Sequence, residues 1–135
     1  MKIFKTYPEH VKIILSTNIA ETSVTIPGIR YVVDSGLAKI RSYKNSTGID
    51  TLKVEPISKN SATQRAGRAG REAPGKCFRL YTEDTLATLD ENTIPEILRC
   101  NLSGVILSLK AIGFKDVSKI DFIDKPTQQA YMSAF

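Results

Sequence analysis

Gln64-Arg65-Ala66-Gly67-Arg68-Ala69-Gly70-Arg71 packs three arginines, a glutamine and two glycines into eight residues. Read as a helix at roughly 100° per residue, Gln64, Arg68 and Arg71 share one face, while Arg65 points about 100° away from it. Each glycine costs a helix roughly 1 kcal/mol relative to alanine, so Gly67 and Gly70 call for a reason. Close approach of another backbone, or of a phosphate, would be one. A fork of guanidinium groups suits a polyphosphate, because arginine binds phosphate oxygens bidentately and stays charged. A solvated basic face is the plainer reading of such a helix taken alone.

Working outward, residues 58–71 read as one basic helix. Ser61-x-x-Gln64 fits a capping box, and a start at Ser58 fits equally well. Pro74-Gly75 breaks the chain, and Cys77 to Tyr81 (CFRLY) is predicted to be a buried strand. Upstream, Val11 to Leu15 (VKIIL) and Ile29 to Val33 (IRYVV) are two further apolar runs consistent with strands buried on both faces. Asp34-Ser35-Gly36 closes the second of them as a turn, and Ala20-Glu21-Thr22 between them suits one short helical turn. Residues 37–57 alternate instead, with Asn45-Ser46-Thr47-Gly48 in the middle, which predicts a hairpin with one polar side.

Downstream the character is helical. Thr93-x-x-Glu96 reads as a capping box with Pro95 in the first turn. Leu98, Leu102, Val105, Leu109 and Ile112 recur at steps of three and four, an apolar stripe expected to pack in a core, and Gly113 is placed to stop the helix. Three buried strands separated by helix or loop point to part of an α/β sheet. So few strands make a poor sheet alone, so the chain reads as the back half of a larger domain and the opening of a second.

Composition sets outer limits. With 135 residues, 41% hydrophobic and 24% charged, the chain has enough apolar content for a core and too much for disorder. Its net charge of +5 favours a polyanionic partner. Cys77 and Cys100 lack metal-ligand spacing and read as reduced core residues of a nuclear or cytoplasmic protein, and no metal site is expected. The single histidine, His10, has no catalytic companion in sequence. No apolar run approaches the length of a membrane span, and no signal-peptide pattern is present.

Two blocks then combine. Ser16-Thr17-Asn18-Ile19-Ala20-Glu21-Thr22-Ser23-Val24-Thr25-Ile26 followed by the QRAGRAGR run resembles motif V followed by motif VI in the second RecA-like lobe of DEAH-box ATP-dependent RNA helicases. The intervening hairpin, Pro74-Gly75-Lys76-Cys77-Phe78-Arg79-Leu80-Tyr81 and Pro95-Glu96-Ile97-Leu98-Arg99 resemble the same family, so the likeness covers nearly all of residues 3–126. It implies an α/β fold: a partial RecA-like lobe, a parallel sheet with flanking helices, with an inserted β-hairpin, followed by the start of a helical winged-helix region. Residues 1–84 would be the back half of the second lobe, with the hairpin at about 37–57. Residues 85–135 would open the winged-helix region, which is cut short.

The resemblance also implies roles. Gln64, Arg68 and Arg71 match the catalytic residues at the ATP γ-phosphate, with Arg68 and Arg71 as arginine fingers. Thr25 matches a position near the ribose, Ser23 one near the phosphates, and Phe4 the phenylalanine that stacks on adenine. Thr17 and Asn18 match residues at the RNA backbone, and Lys44 lies on the hairpin near the RNA path. Arg65 would be structural or face a domain interface. Pro27 stands where many members carry aspartate, which leaves Thr25 alone at the ribose. The implied ligands are ATP, Mg²⁺ and RNA. The implied partners are the first RecA-like lobe, which would supply the Mg²⁺ ligands, and an activating protein. Neither a G-x-x-x-x-G-K-[ST] phosphate loop nor a DEAH tetrad occurs in the chain. By itself the chain is therefore expected to be inactive, and a truncated, non-catalytic RNA- or protein-binding module is the alternative reading.

Overall fold

The computed structural model describes residues 2–5 and 7–134. In chain order, a 3₁₀ turn at Lys2–Phe4 precedes α1 (Ile19–Thr22), β1 (Tyr31–Asp34), β2 (Leu37–Lys44), β3 (Ile49–Pro56) and α2 (Lys59–Ala66). Then come β4 (Lys76–Arg79), α3 (Glu83–Thr88), α4 (Glu96–Arg99), α5 (Ser103–Ala111), a 3₁₀ turn at Val117–Lys119 and α6 (Gln128–Met132). The chain divides into two compact units. The first holds the chain up to Lys39 together with Val54–Thr93; the second holds Ile40–Lys53 and the chain from Ile94 onward.

In the first unit β1 and β4 pair in parallel, with Val33 opposite Phe78 and Asp34 opposite Arg79. A parallel pair needs a long crossover. Here the hairpin β2–β3 and helix α2 lie between the two strands in sequence. Among the described residues, the buried apolar side chains of this unit are Ile57, Ala62 and Ala69, and Asp34, Gly36 and Ser58 are buried as well. α2 starts where its cap allows: Ser58 is extended, and its hydroxyl accepts from the Ser61 amide at 3.2 Å. Of the two starts compatible with the sequence, Ser58 is the one used.

Several sequence expectations are corrected here. Val11–Leu15 is no strand: Val11, Ile13 and Leu15 are 91%, 83% and 95% exposed. A strand buried on both faces needs a ladder neighbour, and among the described residues β1 and β4 pair only with each other. For the same reason β1 and β4 are not buried on both faces; Tyr31, Val33 and Phe78 are exposed, as is Leu80 just beyond β4.

The basic helix also ends earlier than expected. Its last i→i−4 bond runs from the Gly67 amide to the Thr63 carbonyl at 2.9 Å. Arg68 and Ala69 then bond three residues back, to Arg65 and Ala66, so the chain tightens into turns. Arg68 and Arg71 thus lie beyond the helix, so they do not share a helical face with Gln64. Nor is the close backbone approach at the helix glycines. A Cβ on Gly70 would meet nothing within 4 Å, whereas one on Gly75 would overlap the carbonyl oxygens of Ala69 and Arg30. Backbone atoms on both sides cannot step aside. We expect Gly75→Ala to cost about 3 kcal/mol, the upper end of overpacking penalties, read as a lower urea-unfolding midpoint. Gly104→Ala, where a Cβ meets open space, is the control and should leave the midpoint unchanged or slightly raised.

The hairpin is as expected, with strands β2 and β3 joined through Gly48 at φ 67°. Arg41 donates twice across it to Asp50, at 3.1 and 2.7 Å. In the second unit Leu102, Ile106 and Val117 form the core, with Ile97, Leu109, Ile120 and Tyr131 packed against it. Arg99 ties the hairpin into this unit, its Nη1 donating to the Arg41 carbonyl at 2.5 Å and its Nε to the Ile94 carbonyl at 3.1 Å.

The predicted long helix is two, because the chain straightens at Cys100 between α4 and α5. The break rotates the stripe. Ile106 replaces Val105 in the core, and Leu98, Val105 and Ile112 are exposed. The Thr93 capping box does not form. α4 is capped at Pro95 without a side-chain bond, and the Thr93 hydroxyl donates instead to Ser58 Oγ at 3.1 Å. Gly113 does end α5, at φ 104°.

Candidate functional site

The first unit brings motif-bearing segments together around one buried carboxylate. Asp34 ends β1 with its side chain fully enclosed. Its Oδ1 accepts from the Gly36 amide at 3.0 Å and from Arg65 Nη1 at 2.7 Å, and its Oδ2 accepts from the Tyr81 hydroxyl at 2.9 Å. Arg65 reaches further. Nη1 also donates to the Leu37 carbonyl at 3.1 Å, while Nε and Nη2 both approach Glu21 Oε1, at 2.8 and 2.7 Å. The side chains of Arg65 and Glu21 are only 14% and 13% exposed. Burial works against the Arg65 charge, but hydrogen bonds to Asp34 and Glu21 outweigh it and hold the guanidinium above its ordinary range. Burial, then the Asp34 bond, pushes Tyr81 up to about 12, so it remains a proton donor at neutral pH. Arg65 is therefore a structural crosslink between α1, the end of β1 and α2.

A second set of contacts lies beyond the end of α2. Arg71 Nη1 donates to Thr25 Oγ1 at 2.5 Å, and the next residue, Glu72, accepts the Gly28 amide at 2.8 Å. Residues 71–72 thus hold the segment 25–28 at both ends. Gly28 is at φ 77°, left-handed backbone that favours glycine. Arg68 is set deeper. Its Nε and Nη1 are enclosed and have no hydrogen-bond partner among the described residues. Enclosed donors on a charged group are costly when unpaired, so an anionic acceptor brought to Arg68 would be stabilised there.

The remaining sequence candidates are more open. Gln64 is exposed and has no side-chain partner among the described residues. Thr17 and Asn18 form the entry to α1. The Thr17 hydroxyl makes only a long bond to the Ile19 amide, 3.4 Å, and Asn18 at the cap position makes no side-chain cap bond. The Asn18 side chain is therefore not consumed by capping, and among the described residues the Thr17 hydroxyl is engaged only by that long bond. Ser23 follows α1, with its hydroxyl 3.4 Å from that of Thr22. Phe4 ends the first 3₁₀ turn and is half-exposed. Lys44 lies at the hairpin end, exposed, in the second unit. Cys77 and Cys100 have thiols raised by burial, which keeps both protonated. Among the described residues no cluster of three or more His, Cys, Asp or Glu is placed to hold a metal ion, and no helix is long and apolar enough to cross a membrane.

Sequence reasoning singled out neither Asp34, Glu21, Tyr81 nor Glu72. The signal for the first was present: a carboxylate directly after an apolar strand is expensive to enclose without a cation, and Arg65 was the arginine left off the basic face.

Residues 1–73 match the family described as helicase conserved C-terminal domain. The chain is 56% identical to the pre-mRNA-splicing factor ATP-dependent RNA helicase DEAH10 of Arabidopsis thaliana and 47% identical to the human ATP-dependent RNA helicase DHX33. Each alignment covers 99% of this chain and 19% of the relative, so the chain spans about a fifth of the length of the curated relatives it matches. Among solved structures, the Escherichia coli DEAH/RHA helicase HrpB superposes with a TM-score of 0.87 at 36% identity, over 98% of this chain and 17% of HrpB.

Proposed function

Since the chain belongs to the DEAH-box helicases and carries their conserved C-terminal helicase domain, we propose that it supplies one wall of an ATP site and part of an RNA path in an ATP-dependent RNA helicase. The observation that carries this reading is the bond between Arg71 and Thr25, which joins two residues far apart in sequence that both match nucleotide-site positions. In this reading Arg68 and Arg71 face the γ-phosphate, Gln64 assists them, Thr25 and Ser23 line the ribose and phosphate side, and Phe4 stacks on the base. Thr17 and Asn18 hold RNA phosphates, and Lys44 meets RNA from the hairpin.

The chemistry fits those residue types. Phosphoryl transfer is accelerated mainly by positioning and by stabilising charge on the transferred group. The enclosed, unpaired donors of Arg68 favour an anion, and Arg71 can exchange a neutral hydroxyl for a charged oxygen, a stronger acceptor. A hydroxyl and an amide group at a helix entry can grip an RNA phosphate without reading its base. Mg²⁺ would be held by the first RecA-like lobe, with which this chain shares the nucleotide. The winged-helix assignment of residues 85–135, an activating partner protein and a nuclear or cytoplasmic setting complete the proposal. The name of the plant relative, a pre-mRNA-splicing factor, supports that setting.

The test separates the enzyme reading from a binding module. The 135-residue chain by itself, with RNA and Mg·ATP, is expected to release no phosphate above background. A longer protein that includes it together with a phosphate loop and a DEAH tetrad is expected to hydrolyse ATP faster when RNA is added. Turnover by the isolated chain that survives Arg71→Ala would overturn the assignment. Salt-dependent RNA binding by a longer protein that has no ATP turnover would favour the module.

A further inference from the structure

α1 is a single turn with no buried residue and no side-chain cap, yet it directly follows Thr17 and Asn18. Among the described residues its only side-chain ion pair or hydrogen bond to another element is Glu21 with Arg65. The other end of Arg65 is held fast. Asp34, itself held by the Gly36 amide and the Tyr81 hydroxyl, and the Leu37 carbonyl fix Nη1 to the end of the sheet. The residue before Arg65 is Gln64, and the turn carrying Arg68 and Arg71 begins two residues after it. Arg65 thus joins an enclosed carboxylate at the end of β1 to a single helical turn packed on α2, whose polar side-chain link to another element, among the described residues, is Glu21. An enclosed ion cluster of this kind adds little stability over apolar packing of the same volume, so its use is better sought in positioning.

We propose that the Glu21–Arg65 pair is the positioning link that couples the Thr17–Asn18 loop to the arginine turn, so that RNA at the first changes the alignment of the second. The inference rests on the functional reading above and names two residues that touch neither ligand. Coupling of this kind is reciprocal: RNA raises ATP turnover through the link, and bound nucleotide must change RNA affinity through the same link. Glu21 is the residue to change, because its removal leaves Arg65 paired with Asp34.

The experiment uses the full-length helicase with Glu21→Gln, a single-stranded RNA and ATP. ATP turnover without RNA should stay within about twofold of wild type, while stimulation by RNA falls about fivefold or more, the lower end of typical site-to-site coupling. The change in RNA dissociation constant on adding a non-hydrolysable ATP analogue should shrink by a similar factor. Should Glu21→Gln unfold, Glu21→Asp replaces it: it keeps the charge but is too short to hold the contact, and the same outcomes apply. Stimulation and nucleotide-dependent RNA affinity both equal to wild type would overturn the link alone. A wild-type protein that does not respond to RNA at all would overturn the functional reading and the link with it.

Discussion

Arg71→Ala in the full-length protein is expected to lower the kcat of RNA-stimulated ATP hydrolysis by about 10³-fold or more, the range in which an arginine finger acts in phosphoryl transfer. Arg71 meets a neutral hydroxyl, Thr25 Oγ1, and both residues are exposed, so their bond fixes a local segment and contributes little to global stability. Stability should therefore change by no more than about 0.5 kcal/mol, the range usual for surface positions. RNA affinity without nucleotide should also be unchanged. The loss should fall on kcat more than on KM, because the interaction matters most once charge builds on the transferred group. Arg71→Lys should recover little, since an ammonium is a point charge and cannot replace the planar fork. A kcat within a few-fold of wild type would remove Arg71 from the catalytic set.

Asp34→Ala should be the most damaging single change to folding. It takes the acceptor away from three donors at once: Arg65 Nη1, the Tyr81 hydroxyl and the Gly36 amide. Breaking a buried ion pair by deleting one partner typically costs about 3–5 kcal/mol. Against a usual total of about 5–15 kcal/mol, that is a large share. The urea-unfolding midpoint should fall accordingly. Asp34→Asn keeps an acceptor but loses the charge, so it should be the milder variant. Loss of less than about 1 kcal/mol in Asp34→Ala would show that the network is dispensable to the fold.

Much of this was legible in the chain and some was not, for reasons that can be named residue by residue. The hairpin was readable because strict alternation and Asn45–Gly48 are local signals. Gly113 was readable because a helix stop needs only a left-handed residue. The end of α2 was not, because apolar spacing and charge say nothing about where i→i−4 bonding gives way to i→i−3 bonding. The split between α4 and α5 was hidden in the same way, since Leu98 to Ile112 keeps a helical period across a break at Cys100. Apolar content at Val11–Leu15 measured what those residues would bury given a neighbouring strand, and among the described residues no strand pairs with them.

The candidate site divides along the same line. Motif order and residue type, with the family resemblance they carry, singled out Gln64, Arg68, Arg71, Thr25, Thr17 and Asn18 as the proposed site residues, because phosphate chemistry restricts which side chains are useful. Tertiary structure alone decided that Arg71 meets Thr25, that Arg68 keeps enclosed donors, and that Arg65 binds Glu21 and Asp34. Sequence by itself determined the kinds of group available and their local backbone preferences, since both depend on neighbours along the chain. Which carboxylate answers which guanidinium depends on distances between segments 31 and 44 residues apart, and only the folded chain sets those.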